Sequence, residues 1–454
     1  MFKKIITLLG FLTSLNSFAA GIDNIQKLNW DGLEVVYMED ERFPTYDVVV
    51  YFADGALSDS KRRYGETNAM FGLIDSGTNR YTQSQISDNL EFYGVSYAGN
   101  VTHEFSTFSV SGLVKDVIPT FKKICHLFTQ TNYPKEEVQK EKRRFQSSMN
   151  NLINSHGELA SRAFREINLK GTPYSSPVSG KLSTVKNIHT SHLIAKRQYF
   201  NEKVYKRVYI TGPKNVLSIK NTLTDNCGWK NSASLFKRST SSKKNSKSGP
   251  TVHLITVPKA NQAQVRIGKF LEDKEIGNPE LMSLTSGFLG GGFTSLLFRE
   301  VRVKRGLTYS LSAYAGRQAQ YGRSIISTFT KNETIIDLLN ALKETLGKVE
   351  AGSFNDADLE RMRNYLMGSH LFSFEKSSSL LRELMFLDHV GRPYDSLVKY
   401  PEIVKSFSKE EVISATKSLF GWNGFDIVVL GPKSLRSELS KIGKVKVINY
   451  KNFL

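Results

Sequence analysis

The chain of 454 residues holds only two cysteines, Cys125 and Cys227, so at most one intrachain bridge can form and no disulfide framework carries the fold. Cys125 stands among Phe121, Ile124 and Phe128, the setting of a buried free thiol; a bridge to Cys227 is the alternative. Long hydrophobic runs are also missing. Past the first residues nothing approaches about eighteen consecutive apolar positions, so a stable membrane span is not expected. Acid is scarce: 43 Asp and Glu face 62 Lys and Arg, a formal charge of +19 to which Lys3 and Lys4 contribute. That balance can steer acidic peptides, anionic surfaces or nucleic acid. The lysines are scattered, however, and the densest cluster, Lys237 to Lys247, is diluted by Ser and Asn as in a solvated linker. With no recognition motif present, nucleic acid is not an expected partner. A GxSxG elbow, a Walker loop and a GxGxxG turn are all absent, and Gly290-Gly291-Gly292 lacks the Lys-Ser/Thr that a phosphate loop needs, so these glycines read as conformational.

The first residues run basic at Lys3 and Lys4, then apolar from Ile5 to Leu15, then small, with Ser17 and Ala19 where a signal peptidase reads. Residues 1–19 are therefore expected to be an export signal cleaved after Ala19. No Cys follows to carry a lipid, so the expected location is periplasmic or secreted.

Comparison of the chain with itself reveals a repeat. Leu90 to Gly99 runs through Gly94 into Tyr97-Ala98-Gly99, and Val303 to Gly316 runs through Gly306 into Tyr314-Ala315-Gly316, an offset of 217 residues. Apolar runs end in Gly-Pro-Lys at Gly212 and Gly431, an offset of 219. Two unrelated landmarks with nearly one offset mark two homologous halves. Residues 226–249, rich in Ser, Lys and Asn, read as the linker between a domain at 20–225 and one at 250–454. Helical spacing joins Ile86, Leu90 and Tyr93, and again Val117, Phe121, Ile124 and Phe128, whereas Phe108 and Val110 alternate with Ser as in a strand. Pro134 opens a helix whose face carries Val138, Phe145, Met149 and Leu152, and Asn355 and Asp356 can cap another with Leu359, Met362 and Leu366. The expected class is α+β, with helices packed on a mostly antiparallel sheet in each half.

Several stretches resemble the insulinase/pitrilysin superfamily of zinc peptidases. Its members carry HxxEH on a helix that closes with Gly-Thr; the two His share a zinc and the Glu activates water. Counting back from Gly77-Thr78, these positions fall on Asn68, Phe71 and Gly72, and the family's third ligand, a later helical Glu, falls on Ser148. None can serve, and the nearby Glu137 and Glu141 read as a solvated helix face. No other metal site is expected. His189 and His192 lack an acid between them and lie at a helix start, and His103-Glu104 has Thr107 where a second His is needed, which reads as a strand edge.

The second half keeps its signature. Leu297 to Tyr309 is similar to the family's L-F-x-E-x-R-x-x-x-G-L-x-Y stretch, and Gly171 to Pro177, Gly391 to Asp395 and Pro401 to Ile403 extend the likeness over nearly the whole chain. The resemblance implies that Arg302 and Tyr309 bind the substrate backbone and meet the oxyanion, in trans with a partner. Read without it, Tyr309 alternates with Leu307 and Leu311 as a core residue does, and Arg302 could be a solvated helix residue. Half-length members of the superfamily work in pairs. The resemblance thus implies a chain that is not a peptidase alone and holds no zinc, but acts as the substrate-binding subunit of an HxxEH-bearing partner that supplies the zinc. The alternative is a protease-independent binding or scaffold protein on the same fold.

Overall fold

The computed structural model describes residues 24–230, 249–272, 276–372 and 374–454; the expected signal at 1–19 lies outside them. The described residues contain two six-stranded sheets. The first comprises β1 (Ile25–Trp30), β2 (Leu33–Glu39), β3 (Thr45–Phe52), β4 (Ser96–Val101), β5 (Ser106–Leu113) and β6 (Lys206–Gly212), in the order β1-β2-β6-β3-β5-β4. The second comprises β7 (Thr251–Thr256), β8 (Gln262–Leu271), β9 (Leu311–Arg317), β10 (Gly322–Lys331), β11 (Asp426–Gly431) and β12 (Val445–Asn449), in the order β12-β7-β11-β8-β10-β9. Five strands correspond in order: β2-β6-β3-β5-β4 matches β7-β11-β8-β10-β9. Only the edge differs, antiparallel β1 in one sheet and parallel β12 in the other. Seven of the ten pairings are antiparallel, in agreement with the expected class. The repeated glycines have a conformational cause. Gly94 at φ +60 and Gly306 at φ +64 both turn the chain through the left-handed region, where a Cβ is disfavoured, just ahead of β4 and β9.

Helix starts follow local chemistry. Thr82 and Gln85 form a reciprocal capping box for the helix Gln83–Glu91, and Ser408 and Glu411 do the same for Lys409–Phe420. Asn278 accepts from Glu280 and Leu281 ahead of Pro279–Gly290, with Pro279 in the first turn. As expected, a helix follows Pro134 (Lys135–Asn151), and Asn355 accepts from Ala357 at the head of Asp356–Phe372.

The chain forms two compact units, and they cut across the linker. Residues 146–177 belong with the second sheet and residues 372–398 with the first. In the first unit, one face of the sheet packs against Gln83–Glu91, Val117–Gln130 and Thr190–Glu202 through Val48, Val50, Phe52, Phe121, Phe128 and Phe200. Its other face, with Val36, Met38, Val49 and Tyr209, is covered by Ser377–Val390 through Leu380, Leu381, Leu384 and Met385. In the second unit, the helix His156–Asn168 lies on β8 and β11: Arg266 donates to Ser161 Oγ at 3.0 Å and to Gly157 O at 2.9 Å, and Asn168 donates to Asp426 at 3.1 Å. Central strands that are apolar on both faces need cover on both. Each half of the sequence supplies one helix of that cover to the unit built on the other half's strands.

Two further differences concern the linker and the thiols. Residues 226–230, assigned to the linker by composition, are packed: Trp229 is fully buried, with ring centroids 5.4 Å from Phe128 and 6.2 Å from Phe52. This anchoring carries Cys227 to the helix Val117–Gln130, where it forms a disulfide with Cys125, Cα atoms 4.5 Å apart. The free-thiol reading of Cys125 is corrected accordingly. Its apolar surroundings are as expected, but its partner arrives from 102 residues away.

Candidate functional site

Asn68, Phe71 and Gly72, the positions that the resemblance puts in place of HxxEH, lie on the helix Glu66–Gly72. Buried Asp59 organises its first turn, accepting from Gly65 N at 2.9 Å, Thr67 N at 3.0 Å and Thr67 Oγ1 at 2.5 Å, with Lys196 Nζ 3.5 Å away. Burial raises the Asp59 pKa, and the Thr67 hydroxyl and Lys196 oppose that rise. The three positions in question then diverge. Asn68 and Gly72 are exposed, and a Cβ added at Gly72 would meet nothing within 4 Å. Phe71 points the other way. It is 3% exposed, with ring centroids 5.4 Å from Phe200, 5.6 Å from Phe52 and 6.3 Å from Phe128. The position on which the resemblance would place the family's general base is thus a core aromatic.

Ser148 is an exposed residue of the helix Lys135–Asn151. The neighbouring carboxylates are spent on surface pairs, Glu137 with Lys140 at 3.3 Å and Glu141 with Arg144 at 3.8 Å. A buried ring, a glycine, an exposed amide and a hydroxyl do not fit a zinc ion. Among the described residues no three His, Cys, Asp or Glu side chains converge on a possible metal position. His189 and His192 stand at a helix start, His192 Nδ1 accepting from His189 N at 3.2 Å. Glu104 is not at an open strand edge: it is 3% exposed in the turn between β4 and β5, and His389 Nε2 lies 2.9 Å from its carboxylate. Sequence reasoning missed that pair, because the two residues are 285 positions apart.

Arg302 and Tyr309 come together in the second unit. The π-helical turn Phe298–Val303 ends at Gly306, whose N–H donates to Arg302 O at 2.9 Å while Leu307 N donates to Val301 O at 3.1 Å. Beyond the turn, Thr330 Oγ1 donates to Leu307 O at 2.6 Å and Thr328 Oγ1 to Thr308 Oγ1 at 3.0 Å, pinning 307–308 to β10. Thr308 is buried and Tyr309 is turned outward, 72% exposed. The core reading of Tyr309 fails because regular strand geometry begins only at Leu311, so the alternation that includes Leu307 does not extend through it. The Arg302 guanidinium lies 4.4 Å from the Tyr309 ring centroid and 4.8 Å from that of Phe298. Its cationic neighbours are all paired: Arg299 with Asp358 at 2.8 Å, Lys304 with Glu300 and Arg305 with Glu344 at 2.6 Å. Among the described residues Arg302 has no carboxylate partner, so two aromatic faces hold it while its five N–H donors remain unspent. Such a pair can grip a backbone carbonyl or carboxylate and offer a phenolic donor beside it. A second close approach keeps the preceding glycines small: a Cβ on Gly290 would lie 2.2 Å from Ala313 N of β9.

Comparison with known proteins places the chain in a family. Residues 34–181 match the model described as Insulinase (Peptidase family M16), and residues 208–366 match that described as Peptidase M16 inactive domain. The chain is 19% identical to the Uncharacterized zinc protease YmxG of Bacillus subtilis, covering 77% of this chain and 84% of that protein. It is 21% identical to the Non-peptidase homolog YmxG of Helicobacter pylori, covering 95% and 99% respectively. Among solved structures, the peptidase M16 inactive domain from Pseudomonas fluorescens superposes with a TM-score of 0.80 at 18% identity, over 90% of this chain and 98% of that one. The periplasmic protease PqqL from Escherichia coli superposes at 0.71 and 15%, over 90% of this chain and 46% of that one. At such identities the structures speak for the fold alone, whereas the two model matches, following one another along the chain, speak for descent. This chain belongs to the insulinase family, peptidase family M16.

Proposed function

We propose that this chain is the non-catalytic, substrate-binding subunit of a periplasmic insulinase-type zinc peptidase. Its HxxEH-bearing partner supplies the zinc and the general base. The observation that carries this reading is the state of Arg302: its guanidinium lies 4.8 Å from the Phe298 ring centroid and 4.4 Å from that of an exposed Tyr309, with no carboxylate partner among the described residues, so its donors are positioned beside a phenol and left available to a ligand. The loss of ligand chemistry at Asn68, Phe71, Gly72 and Ser148 supports a role without metal in this chain. The name of the Helicobacter relative, a non-peptidase homolog, is in keeping with that role. The PqqL likeness and the export signal expected at residues 1–19 support the compartment. No helix among the described residues is long and apolar enough to cross a membrane.

In the assembled enzyme, Arg302 would hold a substrate backbone carbonyl, and the Tyr309 hydroxyl would donate to the oxyanion as charge develops. The test is the purified complex with an HxxEH partner. Tyr309→Phe removes one donor at little change of volume, so assembly should persist while turnover falls by roughly ten- to a thousandfold. Arg302→Ala should do comparable damage, part of it in substrate binding. If both variants cleave peptide at the unmodified rate, the scaffold reading replaces this one.

A further inference from the structure

Within the first unit, the helices Gln83–Glu91 and Val117–Gln130 and the turn before Gln83 border a hollow of about 170 Å³ that is partly open to solvent. Ile86, Leu90 and Leu127 give it an apolar floor, all three buried. Its rim is basic: Arg80, Lys122, Lys123 and His126 line it, and no carboxylate does. None of the three permanent cations forms an ion pair with a described residue. They are held by neutral groups instead. Lys123 donates to Asn89 Oδ1 at 2.9 Å, and Arg80 lies 5.5 Å from the Tyr81 ring centroid. His126 stands between them, its Nε2 3.3 Å from Thr78 Oγ1 and its ring 5.6 Å from Tyr81. Burial, followed by the nearby Arg80 and Lys123 charges, holds the His126 pKa below its ordinary value, a sign of the positive potential in this hollow.

Cations gathered around an apolar floor with no acid among them repel one another, and the arrangement is relieved by an anion seated in their midst. The space is about that of an apolar cavity that accepts one benzene ring, ~150 Å³. We propose that this cavity binds a carboxylate carried on a single ring-sized apolar body. Arg80 and Lys123 take the carboxylate, and Ile86, Leu90 and Leu127 take the body. Two sources share this chemistry: a free aromatic acid, and the C-terminal residue of a peptide that ends in an aromatic side chain. The site is independent of Arg302 and Tyr309, which belong to the other unit.

The experiment titrates the full chain with 3-phenylpropanoate and with an N-acetylated dipeptide ending in Phe, using calorimetry and the ring-proton resonances of His126. The neutral controls are 3-phenylpropanol and the amidated dipeptide. The expected result is saturable binding of at least one acid with a concurrent His126 shift, and binding of its neutral control weaker by about tenfold or more, the scale of one charge-assisted hydrogen bond. Arg80→Gln and Lys123→Gln should each weaken the acid by about tenfold. Arg80 is exposed, so its variant decides the matter even if Lys123→Gln disturbs the Asn89 contact and fails to fold. Binding of the dipeptide acid alone assigns a peptide C-terminus; binding of phenylpropanoate as well assigns a small acid. The proposal is overturned if neither acid saturates below about 10 mM, if the neutral controls bind equally, or if Arg80→Gln binds as the parent does.

Discussion

Restoring the family's metal-binding motif one residue at a time should expose how far the helix Glu66–Gly72 has been committed to the core. Asn68→His places an imidazole on an exposed position, and Gly72→His adds a side chain where no atom lies within 4 Å of the new Cβ. Neither should cost stability, and replacing a helical glycine should add roughly 0.5 kcal/mol. Phe71→Glu is a different perturbation. It removes a ring that is 3% exposed and contacts three others, and it leaves a carboxylate facing Phe52, Phe128 and Phe200. Strand β4 offers no escape, since a Cβ on Gly99 would already sit 3.0 Å from that of Phe71. Loss of a core Phe costs about 3–5 kcal/mol, and an unsatisfied buried polar group adds about 1–3 kcal/mol. The sum, roughly 4–8 kcal/mol, is a large part of the about 5–15 kcal/mol that holds a domain together. At about 2–4 °C per kcal/mol the first unit should melt at least ~8 °C lower in differential scanning calorimetry. A transition for Phe71→Glu within about 2 °C of the parent would refute the reasoning, because the carboxylate would then have reached solvent and position 71 would not belong to the core.

The disulfide should matter to the same unit: Cys125→Ser with Cys227→Ser opens a loop of 102 residues, and the transition should lose about 4 kcal/mol of stability; a urea midpoint equal to the oxidised parent's would contradict this. Lys206 makes a pH prediction. It is 1% exposed, its Nζ donates to Val204 O at 2.7 Å, and burial pulls its pKa from 10.5 to about 7, with Glu202 opposing. Between those values the unfolded chain keeps a proton that the folded chain has released, so stability should rise with pH by up to about 1.4 kcal/mol per unit above pH 7 and be flat below. Lys206→Met should be the more stable protein at pH 6 and should lose this slope; equal slopes in urea titrations at pH 7, 8 and 9 would exclude the assignment.

The sequence alone determined the class and the repeat. The offsets of 217 and 219 residues correspond to β4 against β9 and β6 against β11, because equivalent strands must place Tyr-Ala-Gly and Gly-Pro-Lys at equivalent ends of their sheets. Helix starts after Pro134 and at Asn355 were legible for a related reason, since such signals act over three or four residues. Only the tertiary structure decided what lies across the chain. That the helices at 156–168 and 377–390 each cover the sheet built by the other half is one such decision, since an apolar stripe does not name its partner. The bridge from Cys125 depended on Trp229 docking beside Phe128, within a stretch whose composition suggested linker. Alternation placed Tyr309 in the core, yet Thr308 and Thr330 hydrogen-bond the chain so that the phenol faces outward beside Arg302. The ring of cations around Ile86 and Leu90 stayed invisible for the same physical reason: Arg80 and His126 come from separate segments, and their proximity is a property of packing, which local spacing does not encode.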